Sequence, residues 1–404
     1  MNLAFPLTRE PRHEARIREA LQICLDFLLE RLGGELVATI LTGSFARGEG
    51  TVLARGRELR ALGDFEFFVV FPHDGDARKR CLVEWGRAAS ACLAARGLRA
   101  DVEFGAIDVE FFHRRARPSI FVYDLREHGK VLWGSSELLA ALPRFRTDEI
   151  PPEDALYLLF NRVIEQLEAW DRLERRDGDG LLQATYQRLK LMLDLAGSAL
   201  AFCGLHTPSY ARRPDALGRL VAETPSLGAS LAPTFVDDVA AAARAKIAPA
   251  EYDGWPDPGR DPAAEQARLR RDMVAVVPAV AAILRWELSR LLGDDGDLPD
   301  LLDRFATSPS LSRRVWDWGK FVLNPLPAPR PVSHLKAARL LLQSTPRALL
   351  YAAGAVAYLG LPGSDAAIPG IARRLPLAGG HQPPDAAEQR RAIVALWRWC
   401  VRNS

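Results

Sequence analysis

The sequence predicts a small mixed α/β domain at the N-terminus followed by a large all-helical region. Three observations carry this reading. Short apolar runs rich in β-branched and aromatic residues occur only before residue 148. Helical patterns interrupt them in the order α-β-β-α-β. Beyond "DEIPPED" the pattern is helical almost throughout, with hardly any strand signal.

The first helix follows from Ile17, Leu21, Leu25, Leu28 and Leu32, which recur at helical spacing before Gly33-Gly34 stops them. "ELVATIL" (Glu35 to Leu41) is short, apolar and β-branched, as a buried strand is. A Gly-Ser turn follows, and "DFEFFVVF" gives a second strand ended by "PHDGD". Residues 77–96 form an amphipathic pattern closed by Gly97. Residues 98–112 return to alternation, as one or two strands, and "KVLWG" (130–134) makes a last short one. Further on come helices at 154–170 and 181–204, then a Pro/Gly/Asp-rich link, "APAEYDGWPDPGRDPAAE". Later helices are expected at 263–292, 299–323, 334–344, 346–361 and 385–402, the last opened by the capping sequence "DAAE". The 404 residues exceed one compact core, and the expected divisions are 1–148, 149–248 and 249–404.

Fifty-three basic and 51 acidic side chains leave a formal charge of +2, which gives no reason to expect nucleic acid or acidic lipid as the main partner. Five cysteines form no CxxC pair, and the start lacks a basic head followed by an apolar run, so a reducing cytoplasm is the expected location. The longest apolar stretch, 348–361, is shorter than the ~20 residues a spanning helix needs. The histidines show no metal-ligand spacing, and the paired tryptophans at 316/318 and 397/399 read as core or interface anchors.

The chemistry lies in "LTGSFARGEGT" (Leu41 to Thr51) and the strand after it. Gly43 lets backbone N–H groups approach a ligand, and Ser44 adds a hydroxyl donor; such turns favour phosphate oxygens. Asp64 and Glu66 project from one strand face, with Phe65 and Phe67 on the other. Carboxylates held close together repel, a cost tolerated when a divalent cation sits between them. A Gly-Ser turn or an acid-x-acid pair alone is commonplace. Acids in an otherwise apolar strand, directly after such a turn, point to a site for a metal-bound nucleoside triphosphate.

"GSFARGE" followed by "DFE" resembles the signature of the DNA polymerase β-like nucleotidyltransferase superfamily, nearest its minimal nucleotidyltransferases, over about residues 10–140. The resemblance implies Mg²⁺, a nucleoside triphosphate (ATP is the expected donor) and transfer of a nucleoside monophosphate to an acceptor hydroxyl. Gly43 and Ser44 would hold the triphosphate, Arg47 would lie against its phosphates or on the surface, and Asp64 and Glu66 would bind metal. A third carboxylate, metal ligand and base, is implied on the neighbouring strand, where "ADVEFGAIDVEFF" offers Asp101, Glu103, Asp108 and Glu110. Asp101 and Glu103 share a face and are favoured; the expected metal set is Asp64, Glu66 and Glu103, with Asp101 as the alternative third acid. "TVLARGRELRAL" adds a loop between Ser44 and Asp64, longer than the family's usual gap.

"TYQRLKLMLDLAGSALAFCGLHTPSYARR" resembles the helical partner domain of such enzymes. Tyr186, Lys190 and Asp194 share a helix face, read as a solvated Lys-Asp pair beside a core stripe in preference to a substrate-facing surface. His206 lacks the preceding Arg of related RNA-cleaving domains. The expected acceptor is a small hydroxylated molecule or a protein side chain. The alternative is a catalytically degenerate nucleotide-binding or antitoxin-like module, and nothing in the sequence sets the oligomeric state.

Overall fold

The computed structural model describes residues 5–402 except 57, 74, 175–177, 258, 325–327, 331–332, 364–369 and 378–384. An N-terminal α/β region with small mixed sheets precedes a large helical region. By spatial clustering the chain forms two compact units. The first holds residues 1–154, 203–216 and 237–253; the second holds 155–202, 217–236 and 254–404.

The first unit opens with α1 (Pro11–Leu32), β1 (Ala38–Thr42) and a single turn of helix, α2 (Gly43–Ala46). Then come β2 (Val52–Arg55), β3 (Glu58–Ala61), β4 (Phe65–Phe71), α3 (Gly75–Ala94), β5 (Leu98–Arg99) and β6 (Val102–Asp108). A π-helical turn at Phe111–Arg115, α4 (Ile120–His128), β7 (Lys130–Gly134) and α5 (Glu137–Ala140) complete its N-terminal part. The main sheet has the order β6-β4-β1-β7, with β4 and β6 parallel and β1 antiparallel to both β4 and β7. Alternation sorts its side chains. Leu41, Phe65, Phe67, Val102 and Phe104 join Ile17, Leu21 and Leu28 of α1 and Leu82 of α3 in one core. Ala38, Ile40, Val70 and Ile107 face the other way, against Val122 and Leu125 of α4. Acids at 64, 66, 101 and 103 fall on this second face.

Two elements differ from the sequence reading. The stretch expected to be a loop before Asp64 is the β2–β3 hairpin, which pairs with β5 as a separate three-stranded sheet. Residues 120–128, which the sequence reading assigns to no element, form α4, capped by Ser119 Oγ accepting from Val122 N at 3.1 Å.

The second unit takes α6 (Pro152–Leu173) from Ala155 onward and α7 (Gly178–Phe202). The chain then passes through α8 (Arg213–Glu223), α9 (Pro225–Gly228) and α10 (Phe235–Ile247). It continues as α11 (Pro262–Val274), α12 (Val277–Leu292), α13 (Leu298–Thr307), α14 (Leu311–Val322), α15 (His334–Leu341), α16 (Pro346–Leu359), α17 (Ile371–Arg374) and α18 (Ala386–Trp397). The foreseen cap on α18 is present: Asp385 Oδ1 accepts from Glu388 N at 2.7 Å. Phe160 stacks on Phe305 and Tyr351, and Asn161 Oδ1 accepts from Tyr351 Oη at 2.8 Å and Trp397 Nε1 at 2.9 Å. Asp194 is not the solvated acid expected from its spacing. It is buried and accepts from Arg162 Nε at 2.7 Å; Tyr186, two turns earlier on α7, is also buried. Among the described residues no helix is long and apolar enough to cross a membrane.

One buried acid in this unit has a deducible protonation state. Ser198 Oγ lies 2.8 Å from Ala155 O and 2.7 Å from Glu287 Oε1. A single hydroxyl proton cannot serve both acceptors, so a proton on Glu287 completes the pair. Glu287 is fully buried and its other oxygen has no partner. Burial, partly offset by the Ser198 hydrogen bond, pushes its pKa up to about 8. Because this exceeds the unfolded value of 4.5, Glu287's contribution to stability is complete below pH 4.5 and is lost as pH rises through 8. Urea unfolding between pH 5 and 8 should therefore show stability falling by up to about 1.4 kcal/mol per pH unit. Glu287→Gln should flatten that slope; an unchanged slope would assign it to other groups.

Candidate active site

The register of the main sheet assembles the acidic residues. Thr42 on β1 pairs with Glu66 on β4, and Glu66 pairs with Glu103 on β6. Phe65 pairs with Val102, and Phe65 N donates to Asp101 O at 2.8 Å, so Asp101 lies beside Asp64 as Glu103 lies beside Glu66. Paired residues on neighbouring strands are about 4.8 Å apart and share a face. The four acids thus lie close together on one face, partly exposed at 64 and 66 and exposed at 101 and 103. Asp108 and Glu110 are not part of it. Asp108 closes β6, where it accepts from Arg115 Nη2 at 2.5 Å and Phe111 N at 3.0 Å; Glu110 lies beyond the strand, 3.9 Å from Arg114.

Gly43 sits where β1 meets α2, and two constraints require glycine there. Its φ is +71°, a region costly for other residues. A Cβ at this position would lie 2.8 Å from Glu66 Oε1. The turn therefore runs directly against the Glu66 carboxylate, with Ser44 buried in the next position. The Gly-Ser turn and the Glu66 carboxylate of β4 are adjacent in space, across the intervening β2–β3 hairpin in sequence.

The remaining polar residues of "GSFARGEGT" turn into the protein. Arg47 is nine-tenths buried; its Nη1 donates to Asp124 Oδ2 at 3.2 Å and its guanidinium lies 5.1 Å from the Tyr210 ring centroid. Burial would lower the Arg47 pKa, but Tyr210, Asp124, Glu49 and Glu66 outweigh it and raise the value. Asp124 also binds His206 Nε2 at 2.8 Å. Burial works to raise its pKa, yet the His206 hydrogen bond and the Arg47 charge hold it below the ordinary carboxylate value. Glu49 is buried and accepts from Ser209 Oγ at 2.7 Å, Tyr210 N at 2.9 Å and Ala211 N at 3.4 Å. Thr51 Oγ1 donates to Lys246 O at 2.9 Å and accepts from Lys246 Nζ at 3.1 Å. Segments 203–216 and 237–253, far along the chain, thus anchor the loop that follows the Gly-Ser turn.

Asp124, His206 and Tyr210 were not singled out as site residues from sequence. The available signal was Arg47 and Glu49 themselves: charges within a short motif otherwise made of small and apolar residues need partners. The partners' identity, 77 or more positions away, was not readable.

Asp64, Glu66 and Glu103 are hard oxygen donors of the kind Mg²⁺ takes, usually one or two carboxylates together with water and substrate phosphates. Among the described residues no group of three or more His, Cys, Asp or Glu is placed so that it could hold a metal ion. The donor set fits a cation shared with a substrate and does not make an all-protein cage.

No family model matches the chain, and no curated protein matches it. Among solved structures, a spectinomycin adenyltransferase from Enterococcus faecialis, crystallised with ATP and spectinomycin, is similar at 14% identity and a TM-score of 0.34. The alignment covers 63% of this chain and 98% of that one. A likeness of that degree decides neither chemistry nor ligand.

Two variants test the site's construction. Gly43→Ala should cost about 1–3 kcal/mol in urea unfolding from φ strain alone, plus the displacement of Glu66. In a Glu66→Ala background the second part should vanish; equal costs in both backgrounds would mean that the carboxylate is not pressed on the turn. Asp124→Asn should cost about 2–4 kcal/mol by leaving the Arg47 cation without its counter-charge, somewhat less than for a wholly buried pair. A melting curve identical to wild type would show that Arg47 is neutralised elsewhere.

Proposed function

We propose that this chain is a Mg²⁺-dependent nucleotidyltransferase that moves a nucleoside monophosphate, AMP from ATP, to a hydroxyl of a small molecule or a protein side chain. The observation that carries the reading is the close approach of Gly43 to the Glu66 carboxylate, in a sheet whose register pairs Glu66 with Glu103. A phosphate-favouring turn against carboxylates suits a triphosphate and its counter-cation.

In this reading the backbone of Gly43 and the hydroxyl of Ser44 hold the triphosphate. Arg47, nine-tenths buried behind the turn, contributes positive potential without necessarily touching a phosphate. Asp64, Glu66 and Glu103, or Asp101 in place of Glu103, would hold Mg²⁺, which when bound supplies charge neutralisation for the phosphates. The third carboxylate accepts the acceptor hydroxyl's proton. The acceptor oxygen bonds to the α-phosphorus while the bond from that phosphorus to the bridging oxygen breaks and pyrophosphate departs.

Calorimetric titration with ATP and Mg²⁺ tests the reading. Wild type should bind only with both present, and Asp64→Asn and Glu66→Gln should each weaken binding by at least about tenfold, equivalent to ~1.4 kcal/mol. Pyrophosphate release should then appear with an acceptor and be lost in Glu103→Gln or Asp101→Asn, whichever is the base. Metal-dependent ATP binding without release on any acceptor would favour a nucleotide-binding module without turnover; no binding at all would end the proposal.

A further inference from the structure

We propose that the cleft beside the acid row, on the same face of the main sheet, is the subsite for an apolar ring of the acceptor; this rests on the nucleotidyl-transfer reading above. The cleft has a volume of about 290 Å³ and is lined by Phe68, Ile107, Asp108, Phe111, Arg115 and Phe121, among others. That is ample room for a ring system.

Its chemistry is apolar and aromatic. The Phe121 ring centroid lies 5.1 Å from that of Phe68 and 6.0 Å from that of Phe111, and 39% of Phe121 is exposed. Three rings meeting at an open surface offer faces and edges to a fourth. Asp108 offers no unmatched charge, since Arg115 and the Phe111 backbone N–H occupy it. A charged guest would lose hydration here without a counter-ion of its own, whereas a neutral ring would not.

The position selects the acceptor over the nucleotide. Phe68 lies two residues beyond Glu66 on its strand, and Ile107 four beyond Glu103. At strand rise the cleft therefore begins about 7 Å from the carboxylates and reaches to about 13 Å. It lies toward β6, the strand that carries the candidate base. The Gly43–Ser44 turn follows β1, on the other side of β4. An acceptor hydroxyl at the acids and its ring in the cleft would extend away from the triphosphate. Gly105 keeps the wall in place: a Cβ there would lie 3.0 Å from Phe68 Cε1.

The test uses 2-naphthol, a flat ring with one hydroxyl, titrated into the full chain and followed by proton NMR saturation transfer. Wild type should bind it at millimolar concentration. Phe121→Ala should weaken binding by about fivefold or more, and Gly105→Leu should abolish it. Both variants should keep the wild-type circular dichroism and Mg-ATP affinity; should Gly105→Leu fail to fold, Phe121→Ala at its exposed position carries the test. Equal naphthol binding in wild type and variants, or none in wild type, overturns the proposal. Competition between Mg-ATP and naphthol, with both affinities falling in Phe121→Ala, overturns it in favour of a nucleobase subsite. Loss of naphthol binding in the variants alongside no Mg-ATP binding to wild type removes the premise while leaving a ring-binding cleft, a result distinct from either.

Discussion

Strand β4 is held in register by neighbours of opposite sense, and the candidate site depends on that register. A slip of one residue against β1 would move Glu66 from Thr42 and turn its carboxylate toward the core that now holds Phe65 and Phe67. The aromatic side chains prevent this slip, because Phe65, Phe67 and Phe104 can be buried only on the α1/α3 side. The apolar residues therefore fix where the acids lie. Four carboxylates at one end of a sheet face are accepted because the same strands bury apolar surface on both faces further along.

A second constraint acts on the loop after the Gly-Ser turn. Arg47, Glu49 and Thr51 alternate with small residues, and all three side chains are engaged in the interior. Each buried polar group needs a partner, and the chain brings those partners back from positions 124, 206–213 and 246. Around Tyr210 the pairing is dense: the cations of Arg47, Arg213 and Lys246 lie 5.1, 4.6 and 4.7 Å from its ring centroid. Such contacts favour a single loop conformation because alternatives leave charges buried without neutralisation. Rigidity of the turn thus comes from residues outside the motif.

The sequence revealed most of what periodicity and spacing encode. Helix α1, strands β1, β4 and β7, and the change to an all-helical texture were legible because their apolar residues repeat at 2 or about 3.6 positions. That Asp64 and Glu66 share a face opposite Phe65 and Phe67 was legible because strand side chains alternate. The β2–β3 hairpin was not: the apolar residues of "TVLARGRELRAL" follow no clean alternation, and the stretch contains no common hairpin pair such as Asn-Gly. Asp194 was misread because a four-residue spacing shows which residues share a face but not what packs against it. Asp124 and His206 were hidden for a related reason, since a carboxylate and an imidazole 82 positions apart announce no mutual contact.

Membership of residues 203–216 and 237–253 in the first unit has a consequence for biosynthesis. Once residue 154 has been made, the nascent polypeptide carries every strand of both sheets, yet Glu49 and Thr51 still lack the backbone and lysine that will receive them. Ninety-two more residues, 154 to 246, must be translated before the lysine arrives. At ribosomal rates that interval lasts roughly 5–20 s. During it Glu49 must stay hydrated, because the groups that accept its burial have yet to be made.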